Sequence, residues 1–201
     1  MDKLSTLFQS QLSSTSRVLV VIASLVLLPC IFLPTWNIML RAPQYPNGLE
    51  LTIYPTTVSG DLQEVNLLNH YIGMHEIEPG EFPEFRFIPF FILRFLGLSL
   101  LAAMVGRMAL GALGYLDFVL FGVVMLNTLQ HWLAEFGQNL DPTAPLRLPP
   151  FSAKFLGVTQ VGQFSVTSAP AIGAILMGIA AALGPVVFFL EWRRLRRSPS
   201  T

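Results

Sequence analysis

The run Ala169–Leu190, APAIGAILMGIAAALGPVVFFL, followed directly by Glu191–Arg197, EWRRLRR, decides what kind of chain this is. A charge-free stretch of this length crosses the roughly 30 Å hydrocarbon layer of a bilayer as a helix. The arginines behind it mark the cytoplasmic end, because Lys and Arg near span ends stay inside and anchor at the inner leaflet. Gly173, Gly178 and Gly184, spaced among alanines, allow the helix backbone to approach a neighbour closely.

Three further runs read the same way: Val18 to about Trp36, about Phe87 to Leu110, and Leu113 to Leu133. With 53% hydrophobic and 12% charged residues, the chain is too apolar for a domain whose whole surface meets water. The expected fold is therefore an all-α membrane protein, a bundle of four transmembrane helices with a small α+β extracytoplasmic loop domain. The first run ends in Leu33-Pro34-Thr35-Trp36, where a tryptophan suits the headgroup boundary, and no small-x-small cleavage site closes it. It reads as an uncleaved helix. The single cysteine, Cys30, rules out an intramolecular disulfide framework.

Charge segregation orients the spans. Lys3 and Arg17 precede the first, Arg107 separates the second from the third, and the basic tail follows the fourth. Residues 37–86 instead carry Glu50, Asp61, Glu64, Glu76, Glu78, Glu81 and Glu84 against Arg41 and Arg86. The resulting map has a cytoplasmic N-terminus at 1–17, spans at 18–36, 87–110, 113–133 and 169–190, and a cytoplasmic turn at 111–112. The extracytoplasmic segments are 37–86 and the proline-rich 134–168, and the basic tail 191–201 is cytoplasmic. Both termini lie inside, in what reads as a bacterial inner membrane.

The long outer loop calls for structure of its own. Leu49–Tyr54 alternates like a strand, and Asp61-Leu-Gln-Glu64 resembles a capping box opening a helix through about Ile72, with Val65, Leu68 and Ile72 on its apolar face. That helix ends in Asn69-His70-Tyr71-Ile72-Gly73-Met74-His75. Imidazole and thioether together suit soft or borderline metals, copper above all. The predicted topology puts all three histidines, His70, His75 and His131, on the outer side with Met39. The candidate metal ligands are thus His70, Met74, His75, His131 and Met39, set against the plainer reading of a packed loop.

Among the span charges, Arg94 is deep enough to need a partner and Glu135 is the candidate; Asp117 is expected opposite Arg107 and the terminal arginines. These read as structural ion pairs. The acidic run Glu76–Glu84 lacks EF-hand geometry and reads as solvated loop. Pro142, Pro145, Pro149 and Pro150 make the second outer loop stiff and extended, suited to docking another protein.

Ala42-Pro-Gln-Tyr-Pro46 with Gly48-Leu49, then Asn66-x-x-Asn69-His70-Tyr71-Ile72-Gly73-Met74, then Asn139-Leu-Asp-Pro-x-Ala-Pro145, resemble an uncharacterised family of bacterial four-span membrane proteins. That family is associated with gene neighbourhoods for nitrous-oxide reductase and its copper maturation proteins. The resemblance covers both outer loops and implies an accessory role near periplasmic copper, carried by His70 and Met74. It assigns nothing to His75 or His131, and Gln160–Phe164 matches the family pattern only loosely.

No Walker loop, nucleophile elbow, HExxH helix or haem-attachment motif occurs, so catalysis is not expected. Zero net charge and a short basic tail give no case for nucleic acid. Three functions remain: a copper-handling accessory protein with the bilayer and a periplasmic or membrane protein as partners; a metal-free assembly subunit; and a small transporter or permease subunit.

Overall fold

The computed structural model describes residues 8–197. Among these, four helices are long and apolar enough to cross a membrane: α1 (Ser14–Leu27, extended by a 3-10 turn at Pro29–Ile31), α3 (Glu84–Val105), α4 (Met108–Gln138) and α5 (Ile172–Arg197). A shorter helix, α2 (Leu62–Ile72), lies between them in sequence. The all-α expectation is overturned by a five-stranded antiparallel sheet: β1 (Trp36–Ala42), β2 (Tyr45–Ile53), β3 (Val58–Gly60), β4 (Gly157–Val161) and β5 (Phe164–Pro170), ordered β3-β2-β1-β5-β4. Over the described residues the protein is a mixed α/β fold, 59% helical.

The sheet is drawn from the two outer loops and takes Trp36, Ala169 and Pro170 from the expected ends of spans. Pro29 and Pro34 stop the first helix, since proline cannot continue an i→i−4 ladder. Beyond them β1 begins, with Trp36 opposite Ile53 on one side and Pro170 on the other. Trp36 is consequently a sheet-core residue and not a headgroup anchor: it is buried, and its indole N–H donates to Ser168 Oγ at 2.8 Å. Similarly, the fourth span begins at Ile172 because Phe164–Pro170 is strand β5. The β4–β5 hairpin turns at Gly162, at φ +60°.

In the membrane layer α1 packs against both α3 and α5, around Leu27, Ile92, Phe95 and Ala180. Phe118 and Phe121 of α4 close on Phe95 at ring distances of 5.1 and 5.4 Å. The turn between α3 and α4 falls at Gly106-Arg107, five residues before the expected 111–112. That shift re-pairs the span charges. Arg94 lies twelve residues before Gly106 and Asp117 ten after Arg107, so the antiparallel helices hold them at one depth, and Arg94 Nη2 meets Asp117 Oδ2 at 2.5 Å. The Arg94 guanidinium also lies 4.8 Å and 5.1 Å from the Phe91 and Phe95 rings. The expected partners are otherwise engaged: Glu135 accepts from the Asn139 amide, and Arg107 is an exposed residue capping α4.

At the turn end, Ser10 and Leu12 hydrogen-bond the backbone of Met108 and Gly106. The buried Glu191 carboxylate accepts from Ser13 N–H at 2.8 Å, at the N-terminus of α1, where the helix dipole favours an anion. At the other end α4 overshoots. Its 31 residues extend about 46 Å, well beyond the hydrocarbon thickness. The excess carries Gln130, which accepts from Phe155 N–H and donates to the Ala153 carbonyl, and Gly137, whose carbonyl accepts from Phe151 N–H. A Cβ on Gly137 would stand 2.4 Å from the Phe151 carbonyl oxygen, so only glycine allows this contact.

Helix α2 lies on the sheet. Val65 packs with Leu49, Leu51 and Val58, while Leu68 and Ile72 pack with Ala42 and Phe164. Leu68→Ala should cost about 2–5 kcal/mol, whereas Leu67→Ala, at a side chain 66% exposed, should stay within about 0.5 kcal/mol. Thermal unfolding of the two variants in detergent measures the contrast.

Candidate functional site

The region that gathers most of the singled-out residues is a cleft of about 660 Å³ where the end of α2 meets the chain leaving α4. One wall holds His70, Gly73, Met74 and His75; the other holds Asn139, Leu140, Asp141, Thr143, Ala144 and Pro145. Two motifs distant in sequence therefore form one site.

Local chemistry explains the first wall. Asp61 stands at the N-cap, but its carboxylate accepts from Glu50 N–H at 2.8 Å instead of closing the anticipated capping box, tying α2 to β2. Gly73 ends the helix in the left-handed region at φ +80°, where its N–H bonds back to the Asn69 carbonyl. Asn69 is buried, and its amide donates to the His75 carbonyl at 3.2 Å. One turn earlier, Asn66 bonds both the N–H and the carbonyl of Ile77, at 2.8 and 3.1 Å. These two carboxamides clamp the segment after the helix, giving the main chain at His75 and Ile77 side-chain partners.

The second wall is sewn to the first by main chain. Asp141 N–H donates to the Gly73 carbonyl at 2.8 Å and Leu146 N–H to the Tyr71 carbonyl at 3.2 Å. A Cβ on Gly73 would come within 2.8 Å of the Asp141 carbonyl oxygen and 2.9 Å of Ala144 Cβ. Glycine is needed there for space as well as for φ. Asp141 then turns the chain: its Oδ1 accepts from Thr143 N–H at 2.8 Å and from the Thr143 hydroxyl at 2.7 Å. Those bonds, the hydroxyl's first, hold the Asp141 carboxyl below its ordinary range, and the charge of nearby His70 adds to the effect.

His70 and His75 are exposed, the latter 75% by side chain with Nε2 3.9 Å from Glu81 Oε1. Met74 is half-buried against the cluster of Ile72 and Phe164, with part of its surface on the cleft. The other two proposed ligands lie elsewhere. Met39 stands on β1 between Glu50 and Thr167, its sulfur over Gly48, and His131 lies on the exposed side of α4 beside Trp132. Among the described residues, no group of three or more His, Cys, Asp and Glu side chains converges in a way that could hold a metal ion. The donors that line the cleft are His70, Met74, His75 and Asp141.

Asp141 and Thr143 were not among the candidate ligands, although Asn139-Leu-Asp-Pro-Thr carries a recognisable signal. An Asp two residues before a Thr, with proline between, favours a side-chain-closed turn. The chain matches no protein-family model and no curated protein. What fold and site define is a class: among the described residues, four helices long and apolar enough to cross a membrane carry an antiparallel sheet layer, with a cleft where the two long loops meet.

Because the folded carboxyl of Asp141 is depressed, the turn it closes is stabilised above the unfolded carboxyl pKa and loses that stabilisation as pH falls through the lower folded value. Thr143→Ala should move the Asp141 titration midpoint up toward the ordinary range while leaving the main-chain bond from Asp141 to Gly73 in place. Carboxyl-carbon NMR titration of the two proteins reads this directly; an unmoved midpoint would exclude the hydroxyl as the main cause.

Proposed function

We propose that this is an integral membrane accessory protein whose sheet layer faces away from the cytoplasm and serves as an assembly platform, with a partner protein seated at the cleft between residues 69–75 and 139–145. The observation that carries this reading is the division of labour within the motif. Asn69 is consumed in holding the chain after the helix, and the Gly73 and Tyr71 carbonyls in joining the two loops. The imidazoles of His70 and His75 and the carboxylate of Asp141 remain exposed around the cleft. A rigid frame presenting a few polar groups suits recognition better than turnover. The placement of the basic turn end inside follows from the positive-inside rule, and both termini are then cytoplasmic.

A single introduced thiol tests platform and orientation together, because the native Cys30 is buried. Thr143→Cys in whole cells should react with a membrane-impermeant maleimide, and a short bifunctional crosslinker at the same position should trap one discrete partner. Labelling only after lysis would reverse the orientation; a labelled thiol that traps nothing would remove the platform.

The shared position of His70, Met74 and His75 on one cleft wall favours a second reading, transient holding of Cu(I). In that case the protein contributes to maturation of a periplasmic copper enzyme such as nitrous-oxide reductase, as the motif resemblance implies. Only neutral imidazole ligates, so retention should weaken on acidification. Titration of the purified protein with Cu(I) against a competing chelator should lose at least tenfold in affinity in His70→Ala and in Met74→Ala. Equal affinity in both variants leaves the metal-free platform alone.

A further inference from the structure

A second cavity, of about 370 Å³, lies inside the membrane layer toward the turn end, bordered by α1, α3, α4 and α5. Among the described residues, only Ser99 and Tyr115 bring polar side chains to its lining. It exists because α4 buries a residue only near each end, at Met108 and Gly137, and leans on α5 where Tyr115 sits over Gly184. An apolar space of this kind does not hold water. In a bilayer, the molecules with access to it are hydrocarbon chains.

We propose that this cavity is a phospholipid site: it takes one acyl chain of an anionic phospholipid from the leaflet on the turn side, with Arg107 meeting the phosphate. The depth fits one leaflet. From Met108 at the turn to Phe118 on the inner wall is about 15 Å along α4, half the hydrocarbon thickness. The volume fits one chain. A cavity of about 150 Å³ accepts benzene, so this one admits on the order of fifteen carbons.

Charge selects the headgroup. Among the described residues, the turn end carries Arg17, Arg107, Arg193, Arg194, Arg196 and Arg197 against Glu191 alone, and Glu191 is buried against Ser13 and Arg194. Arg17 donates to the Leu12 carbonyl and lies over Gly106. Arg107 is exposed beside Met108, which lines the cavity. A basic rim over a gap between spanning helices is the chemistry that retains acidic lipid headgroups.

Native mass spectrometry of the delipidated full chain, titrated with phosphatidylglycerol or phosphatidylcholine of equal chain length, tests the site. The expected result is one retained lipid, with phosphatidylglycerol favoured at least tenfold. Arg107→Gln should bring the two lipids to within about threefold of each other. Gly111 lines the cavity and nothing stands within 4 Å of a Cβ added there, so Gly111→Phe has room at its Cβ and should abolish retention of both. As a check independent of the variants, phosphatidylglycerol with a photoreactive chain should label Leu98, Ala112 and Leu183 in preference to the outward Leu120 and Val124 of α4. Equal retention of the two lipids by the native chain, retention surviving in Gly111→Phe, or labelling confined to the outward residues would each overturn the proposal.

Discussion

The pairing of β1 with β5 is the constraint on which the rest of the molecule depends. From Trp36 opposite Pro170 to Arg41 opposite Ser165, six successive residues align the chain leaving α1 with the chain entering α5. Because both strands run directly into membrane helices, the ladder fixes the relative height of α1 and α5 and hence the contact between them. The three strands of the first loop and the hairpin of the second each meet the ladder from one side, so a single register sets both loops. A one-residue slip would turn Trp36, Ile38 and Leu40 away from the sheet core.

That register is also what brings the two motifs together. Once β5 lies against β1, Phe164 joins Ala42, Leu68 and Ile72 under α2. The chain from α4 must then pass the end of α2 to reach β4. It passes as Asn139–Leu146, donating main-chain N–H groups to Gly73 and Tyr71. The cleft follows from two loops sharing one sheet, and its polar rim from the side chains that this join leaves unused.

How much of this the sequence discloses depends on the range of the interaction. The extent of α2, its apolar face at Val65, Leu68 and Ile72, and its end at Gly73 are legible because they rest on local periodicity and capping. The number of long apolar helices among the described residues is legible for the same reason, each resting on an unbroken local run of apolar residues. Strands β1 and β5 are legible only in part: hydropathy draws Trp36, Ala169 and Pro170 into the spans, and the rest of both strands falls in the outer loops, where their pairing joins segments more than 120 residues apart. The β4–β5 hairpin had a usable signal in Val158–Val161 and Phe164–Thr167 around Gly162. The ion pairing depends on where the chain reverses between α3 and α4. Placing the turn at 111–112 puts Arg94 and Asp117 at different depths, and only the break at Gly106 levels them. Of the proposed ligands, those adjacent in sequence share the cleft, while Met39 and His131 depended on a fold that local pattern does not determine.

The order of strands also bears on how the protein is made. Strand β1 is synthesised early, but its partner β5 begins about 120 residues later, after two further membrane helices. At synthesis rates of about 5–20 residues per second, that interval lasts on the order of ten seconds. Throughout it the meander β1-β2-β3 presents the free edge of β1, a row of main-chain groups ready to pair with any extended segment nearby. The nascent chain is thus most open to mispairing, and to capture by a chaperone that binds strand edges, between insertion of its first helix and arrival of its last.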